Sequence, residues 1–325
     1  MTTPDTPGPD VSVLVAAWKA ETTLPRAVRS AVAQDGVSVE VLVVDDASPD
    51  GTLACAKHLA MEHPNLIVRS MPRNGGPSVA RNCALDLATG RYVTVLDSDD
   101  MMEPGRLRAL VALADGADAD AVADDLLRVD EDDPEGPRRR LLTEEEIGWR
   151  QIDLTDFILG NLTTANGSRG EMGFLKPLMR RSFLTEHALR YDETMRLGED
   201  YLLYAQMLGH GARIFLTDPK GYLAIMRPDS LSGRHSARDL GALVAADLSL
   251  RKDFALTDAA AQALDRHLID TKKRWQWMRL IEAVKARDVR AALRCFADHP
   301  KVGLFLVSQL WEQVLLRTRR KIGQT

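Results

Sequence analysis

The sequence predicts an α/β fold, a mostly parallel sheet with helices on both faces, followed by a C-terminal helical region. Three observations carry this expectation. Apolar β-type runs and helix-period segments alternate four times between Val11 and Ala114, the pattern of right-handed βαβ units. The runs VSVLVA, VEVLVV and YVTVL are nearly continuous, as strands buried on both faces are. From Asp239 onward the pattern is helical throughout.

In chain order, a Pro/Asp/Thr leader (residues 1–10) is expected to be disordered, and Val11–Ala16 is the first strand. Thr22–Gln34 reads as a helix, with Thr22 or Thr23 near its cap and Pro25 in its first turn. Val39–Val44 is the second strand, and Asp50 caps a helix reaching about Met61. Leu66–Ser70, Pro77–Ala88, Tyr92–Leu96 and Pro104–Ala114 continue the strand–helix alternation. The order breaks at the charged, Pro/Gly-punctuated loop EDDPEGPRRR. Beyond it come a helix at Leu154–Leu159, a Gly-rich stretch at Asn166–Gly173, a helix at Glu199–Leu208 and strands near Ile214 and Tyr222. Asp239–Asp253, Thr257–Lys285 and Asp288–Ala297 are helices that open on capping residues. Trp275 and Trp277 fall on different faces of one helix and read as core or interface.

Composition bounds the function. A chain of 325 residues with 45% apolar content builds a sizeable core. Its net charge of −5 argues against a whole-chain nucleic-acid binder. The charge is uneven: Lys272–Thr325 holds 13 Lys/Arg against 4 Asp/Glu, a net of +9, which leaves −14 on residues 1–271. Three scattered cysteines (Cys55, Cys83, Cys295) form no CxxC pair and fit a reducing, cytoplasmic setting. Neither a secretory signal nor an uninterrupted apolar run of ~18 residues is present, so a membrane-spanning helix is not expected.

Open parallel sheets bind ligands at the carboxyl ends of their strands. There the first strand gives Ala16-Ala17-Trp18, the second Asp45-Asp46 and the fourth Asp97-Ser98-Asp99-Asp100. Carboxylates at such an edge suit Mg²⁺ or Mn²⁺, which bind through one or two carboxylates plus substrate phosphates. A helix-cap reading suits Asp50 but not Asp97 and Asp99, which directly follow a buried strand. AAWKAETT lacks the glycines of a dinucleotide fingerprint, no P-loop is present, and Met102 stands where an EF-hand loop needs glycine. An aspartate-nucleophile phosphatase stays conceivable; the remaining reading is a nucleoside diphosphate held through a divalent metal.

The blocks VSVLVAAWKAETTLPRAVRSAVAQ, VEVLVVDDASPDGT, NGGPSVARNCALDLATGRYVTVLDSDD, EPGRL and YDETMRLGEDYLLYAQM, in this order, resemble a family 2 glycosyltransferase over residues 10–230. The resemblance implies the GT-A nucleotide-diphospho-sugar transferase fold with a C-terminal helical extension. It divides the chain into a catalytic domain at 11–235 and a helical region at 236–325. Within the catalytic domain, 11–130 would bind nucleotide and 131–235 the acceptor. By the same resemblance, Ala16 and Trp18 line a base pocket, Asp46 accepts from uracil and Gly76 allows close backbone approach. Arg81 sits beside ribose and phosphates, Asp97 meets ribose or the donor sugar, Ser98 is a further substrate- or nucleotide-binding residue, and Asp99 ligates the metal. Asp200 is the catalytic base and Glu199 orients the acceptor. Arg227 lies where the family has a basic or His residue reaching the diphosphate; a surface arginine is the alternative. Arg234-His235 is a further candidate left outside the metal shell. Ala-Ala-Trp-Lys departs from the family's Pro-x-(Tyr/Phe)-Asn in the first block.

The implied activity is inverting transfer of a hexose from a UDP-sugar to a saccharide, in bacterial exopolysaccharide synthesis of the succinoglycan type. Such chemistry needs a base for the acceptor proton and positive charge on the departing diphosphate. Glu199-Asp200 opens a helical run, where the dipole favours an ionised carboxylate. A non-catalytic nucleotide-sugar binder of the same fold is the rival from another class. At the tail, an apolar stripe over Val302–Leu316 runs into Arg317, Arg319, Arg320 and Lys321. That stripe fits an anionic membrane surface, a helix packed on the domain, or a homo-oligomer contact. A lipid-linked acceptor at the inner face of a membrane would account for the first.

Overall fold

A computed structural model describes residues 8–133, 136–162, 171–226 and 236–322, with side chains up to 315. The first half comprises β1 (Val11–Ala17), α1 (Leu24–Val32), β2 (Val39–Asp45), α2 (Thr52–Glu62), β3 (Leu66–Ser70), α3 (Pro77–Leu87) and β4 (Tyr92–Val95). Next come β5 (Met101–Met102), α4 (Arg106–Ala117), β6 (Ala121–Asp124), β7 (Leu127–Asp130), β8 (Arg139–Arg140), β9 (Trp149–Ile152) and α5 (Leu154–Leu159). After a 3₁₀ turn at Met172–Phe174 the chain forms β10 (Leu178–Arg180), α6 (Arg181–Glu186), α7 (Glu199–Gly209), β11 (Ile214–Thr217) and β12 (Tyr222–Met226). Four helices follow: α8 (Ala237–Asp253), α9 (Asp258–Lys285), α10 (Val289–Phe296) and α11 (Pro300–Ile322).

The main sheet has eight strands in the order β3-β2-β1-β4-β10-β6-β11-β9. β3, β2, β1 and β4 run parallel, with Val11 opposite both Val39 and Tyr92. β10 is antiparallel to both β4 and β6, so β6 runs in the same direction as β4. The carboxyl ends of β1, β2, β4 and β6 therefore share one edge. A smaller sheet, β5-β12-β7-β8, stands beside it. β1, β2, β4 and β6 are buried almost throughout, as their continuous apolar runs require.

Helix boundaries moved where caps differ from expectation. Gly51, not Asp50, caps α2; the Asp50 carboxylate accepts from the Thr52 hydroxyl at 2.6 Å. α4 starts at Arg106 because Gly105 holds φ +84°, a left-handed conformation natural to glycine. α8 opens two residues early, with Ser236 and Asp239 forming a reciprocal capping box. Thr257 and Asp288 cap as expected, accepting from Ala260 and Ala291 amides. Gly8–Asp10 are not loose: Pro9 accepts from the Arg91 amide, and Asp10 accepts from the Ser38 hydroxyl at 2.7 Å. Residues 1–7 of the leader lie outside the described residues.

The C-terminal helices divide into two parts. α8 and α9 join the α/β body through a buried trio, where Tyr201 and His267 both reach Asp247, at 2.9 and 2.8 Å. α10 and α11 pack on α9 through a separate small core of Leu280, Cys295, Val302 and Leu306, with Trp277 beside it. Trp275 instead lies under the Arg279 guanidinium, 5.0 Å away.

Candidate functional site

β1 ends in Ala16, Ala17 and Trp18, and the Trp18 ring is 42% exposed with the Lys19 ammonium 4.5 Å above it. Next door, at the end of β2, the buried Asp46 carboxylate accepts from the Asn74 side chain and the Gly75 and Gly76 amides, each at 2.8 Å. These bonds close the loop that leads into α3. Gly76 stands at φ +91°, and a side chain there would meet Arg196. Asp46 thus builds the loop that aims α3, and α3 carries Arg81.

Arg81 is the hub. It is 5% exposed and donates to Asp97 at 2.9 Å, Glu199 at 2.9 Å and Asp200 at 3.0 Å. Lys176, equally buried, donates to Asp200 at 2.9 Å and reaches Asp97 at 3.2 Å. Segments more than 100 residues apart thereby meet: the end of β4, the middle of α3, the loop before β10 and the first turn of α7. Gly198, at φ +75°, caps α7 and leaves Glu199 and Asp200 in its first turn, where the helix dipole favours negative charge. Three carboxylates face two cations, a net of −1 when all are ionised.

The electrostatics follow from burial and these pairings. Burial works to raise the Asp97 carboxyl, but Lys176 and Arg81 outweigh it and hold it at about 2. Burial pushes Glu199 above the usual carboxylate range against the pull of Arg81. Burial opposes the charge on Arg81 and Lys176 too, yet Asp200 and Asp97 hold both above their ordinary values. The Tyr191 ring lies 5.4 Å from the Arg81 guanidinium, with its hydroxyl buried and unpaired.

Asp97–Asp100 forms a tight turn, in which the Asp100 amide donates to the Asp97 carbonyl at 3.0 Å. Arg26 donates to the Asp99 carbonyl at 3.0 Å, and Ser98 and Asp99 are half-buried. Asp100 accepts from the Tyr222 hydroxyl and the Ile225 amide, both at 2.8 Å. Burial, with Asp97 and Asp99 alongside, pushes its carboxyl up to about 8. Asp97, Asp99 and Asp100 thus bring carboxylate oxygens together at the end of β4. A hard divalent cation fits this all-oxygen set. Among the described residues, no three His, Cys, Asp or Glu side chains could hold an ion unaided. Asp99 would hold it, with phosphate oxygens and water completing the shell.

Behind the site lies an ion pair with no solvent exposure: Arg106 donates to Asp124 at 2.6 Å and to the Lys176 carbonyl at 2.7 Å. It fixes the segment that delivers Lys176. Sequence reasoning placed Asp100 at the strand end without giving it a role, and missed Lys176, the Tyr222 hydroxyl and this pair. One signal was legible: Lys176 is the lone charge in the apolar run GFLKPLM. Arg227, Arg234 and His235 lie outside the described residues.

Residues 12–183 match the family model described as glycosyl transferase family 2. Two relatives from Rhizobium meliloti (strain 1021) are similar over most of their length. The succinoglycan biosynthesis protein ExoO is 36% identical over 313 residues, 96% of this chain and 87% of the relative. ExoU, also a succinoglycan biosynthesis protein, is 37% identical over 90% of this chain and 84% of its own. Among solved structures, S. aureus TarS 1-349 in complex with UDP-GlcNAc superposes with a TM-score of 0.64 at 20% identity, covering 87% of this chain and 89% of TarS 1-349. The mannosyltransferase PcManGT from Pyrobaculum calidifontis, in complex with GDP-Man and Mn²⁺, gives 0.58 at 18% identity, over 94% and 81% of the two chains. These likenesses show the GT-A fold. With the sequence matches, they establish that the chain belongs to the family 2 glycosyltransferases.

Proposed function

We propose that the protein is an inverting, metal-dependent hexosyltransferase that takes its sugar from a UDP-sugar and delivers it to a hydroxyl of a lipid-linked saccharide in bacterial polysaccharide synthesis. One observation carries the reading: Arg81 ties Asp97, at the donor edge of the sheet, to Glu199 and Asp200 at the start of α7. Donor-side and acceptor-side carboxylates share one cluster. The names of the two Rhizobium relatives support the polysaccharide setting, and the TarS complex supports a UDP-linked donor.

In this reading the nucleotide lies across the ends of β1, β2 and β4, its base beside Ala16 and Trp18. Asp97 and Ser98 meet the ribose or sugar, and Asp99 holds Mg²⁺ or Mn²⁺. A bound metal supplies Lewis-acid stabilisation of the departing diphosphate. Asp200 accepts the acceptor's hydroxyl proton as that oxygen bonds to the anomeric carbon, and the bond from that carbon to the diphosphate oxygen breaks. Arg81 at 3.0 Å and Lys176 at 2.9 Å hold the Asp200 carboxylate in place at the start of α7 for that role. Glu199, raised by burial, orients the acceptor. Incubation with a panel of UDP- and GDP-sugars and Mn²⁺, reading free nucleotide, tests the reading. Release from a UDP-hexose is expected; release from GDP-sugars alone would overturn the donor assignment.

A further inference from the structure

α11 carries apolar side chains on the face turned away from its own packing. Val302 and Leu306, which seat it on α9 and α10, are fully buried. At about 100° per residue, Leu304, Val307, Trp311, Val314 and Leu315 fall on the opposite side of the helix. They are exposed by 72, 45, 64, 52 and 56%. A helix docked along the catalytic domain would bury this stripe. α10 adds Val289 and Leu293, one turn apart and 70 and 67% exposed. Apolar exposure on this scale along one helix face marks an interaction surface.

Charge selects the partner. Residues 284–322 hold nine Lys/Arg against three Asp/Glu, +6 in a chain of −5. Lys285, Arg287, Arg290, Arg294 and Lys301 are all exposed. We propose that α10 and α11 form a docking surface for an anionic lipid bilayer, the Leu304–Leu315 stripe entering the acyl boundary and the basic residues meeting headgroup phosphates. A symmetric pairing of two copies through the same stripe would oppose two +6 segments; an anionic surface attracts both. Among the described residues no helix is long and apolar enough to cross a membrane, so the contact is with one leaflet.

Co-sedimentation of the full chain with phosphatidylcholine vesicles, with and without phosphatidylglycerol, tests the proposal. Binding is expected only with the anionic lipid, weakening ~10-fold or more between about 0.1 and about 1 M salt. The double variant Leu304→Gln, Trp311→Gln should keep the wild-type melting temperature, because both side chains are exposed, and should no longer pellet. Arg290→Gln provides a charge-only check and should weaken binding about fivefold. Absence of binding to anionic vesicles at low salt would overturn the proposal, as would binding unchanged in the double variant. A solution dimer that the double variant dissociates, without vesicle binding, would assign the face to self-association instead.

Discussion

The Lys176 ammonium donates to Asp200 across 2.9 Å, inside a pocket that leaves both side chains a tenth exposed or less. The pair joins the loop before β10 to the first turn of α7, so the proposed base is positioned by a residue outside its own helix. Lys176→Met removes one of two cations balancing three carboxylates. Breaking a buried pair from one side costs about 3–5 kcal/mol. Chemical denaturation should show a loss of that order. A loss below about 1 kcal/mol would mean that Lys176 is not structurally coupled to Asp200.

Arg106 is expected to matter for stability more than for chemistry. Its guanidinium is fully buried on Asp124 and the Lys176 carbonyl, 5.1 Å from the Tyr222 ring. Arg106→Met removes the only cation paired with Asp124 among the described residues, leaving its carboxylate in the core with the Lys220 amide at 3.0 Å, again about 3–5 kcal/mol. Thermal unfolding should shift down sharply, and Arg106→Met with Asp124→Leu should recover part of the loss. An additive double variant would contradict the pairing.

The C-terminal helices supply a pH test. Asp298 accepts from Lys272 at 2.9 Å and Gln276 at 3.2 Å; burial opposes its charge, but these bonds hold its carboxyl below the ordinary 3.8. A depressed folded value means stabilisation that is present above 3.8 and lost as pH falls through the folded value. Asp298→Asn should therefore destabilise at neutral pH by about 1 kcal/mol. The gap to wild type should close in acid. A gap constant with pH would sink the assignment.

The proposed metal dependence rests on Asp99. Calorimetry of UDP should show tighter binding with Mn²⁺ than with EDTA, and Asp99→Ala should abolish the difference while leaving metal-free binding unchanged. Equal affinity in both conditions for the wild type would remove the metal from the mechanism.

Much of this was legible in sequence because it is local. The strands β1 to β4 declared themselves as apolar runs, and Leu66–Ser70 and Leu154–Leu159 have the boundaries their sequences predict. β11 and β12 also fall where strands were expected, near Ile214 and Tyr222, but three others did not show: β8 is two arginines, β9 reads WRQI and β10 spans three residues. Such segments are too short for periodicity; their partners across the sheet make them strands. The site shows the same division. Asp97, Asp99, Glu199 and Asp200 stand out beside a strand end or a helix start. Lys176 and the Arg106–Asp124 pair acquire meaning only from partners 18 to 79 residues away.

Asp200→Asn is the most direct test of the central claim. The amide keeps the side chain's shape between Arg81 and Lys176 but cannot accept the acceptor proton. Nucleotide affinity by calorimetry should be retained, while transfer to a saccharide acceptor should fall ~10²–10⁴-fold. Near-normal transfer in this variant would show that Asp200 is not the base and would pass the role to Glu199, whose carboxyl burial already raises.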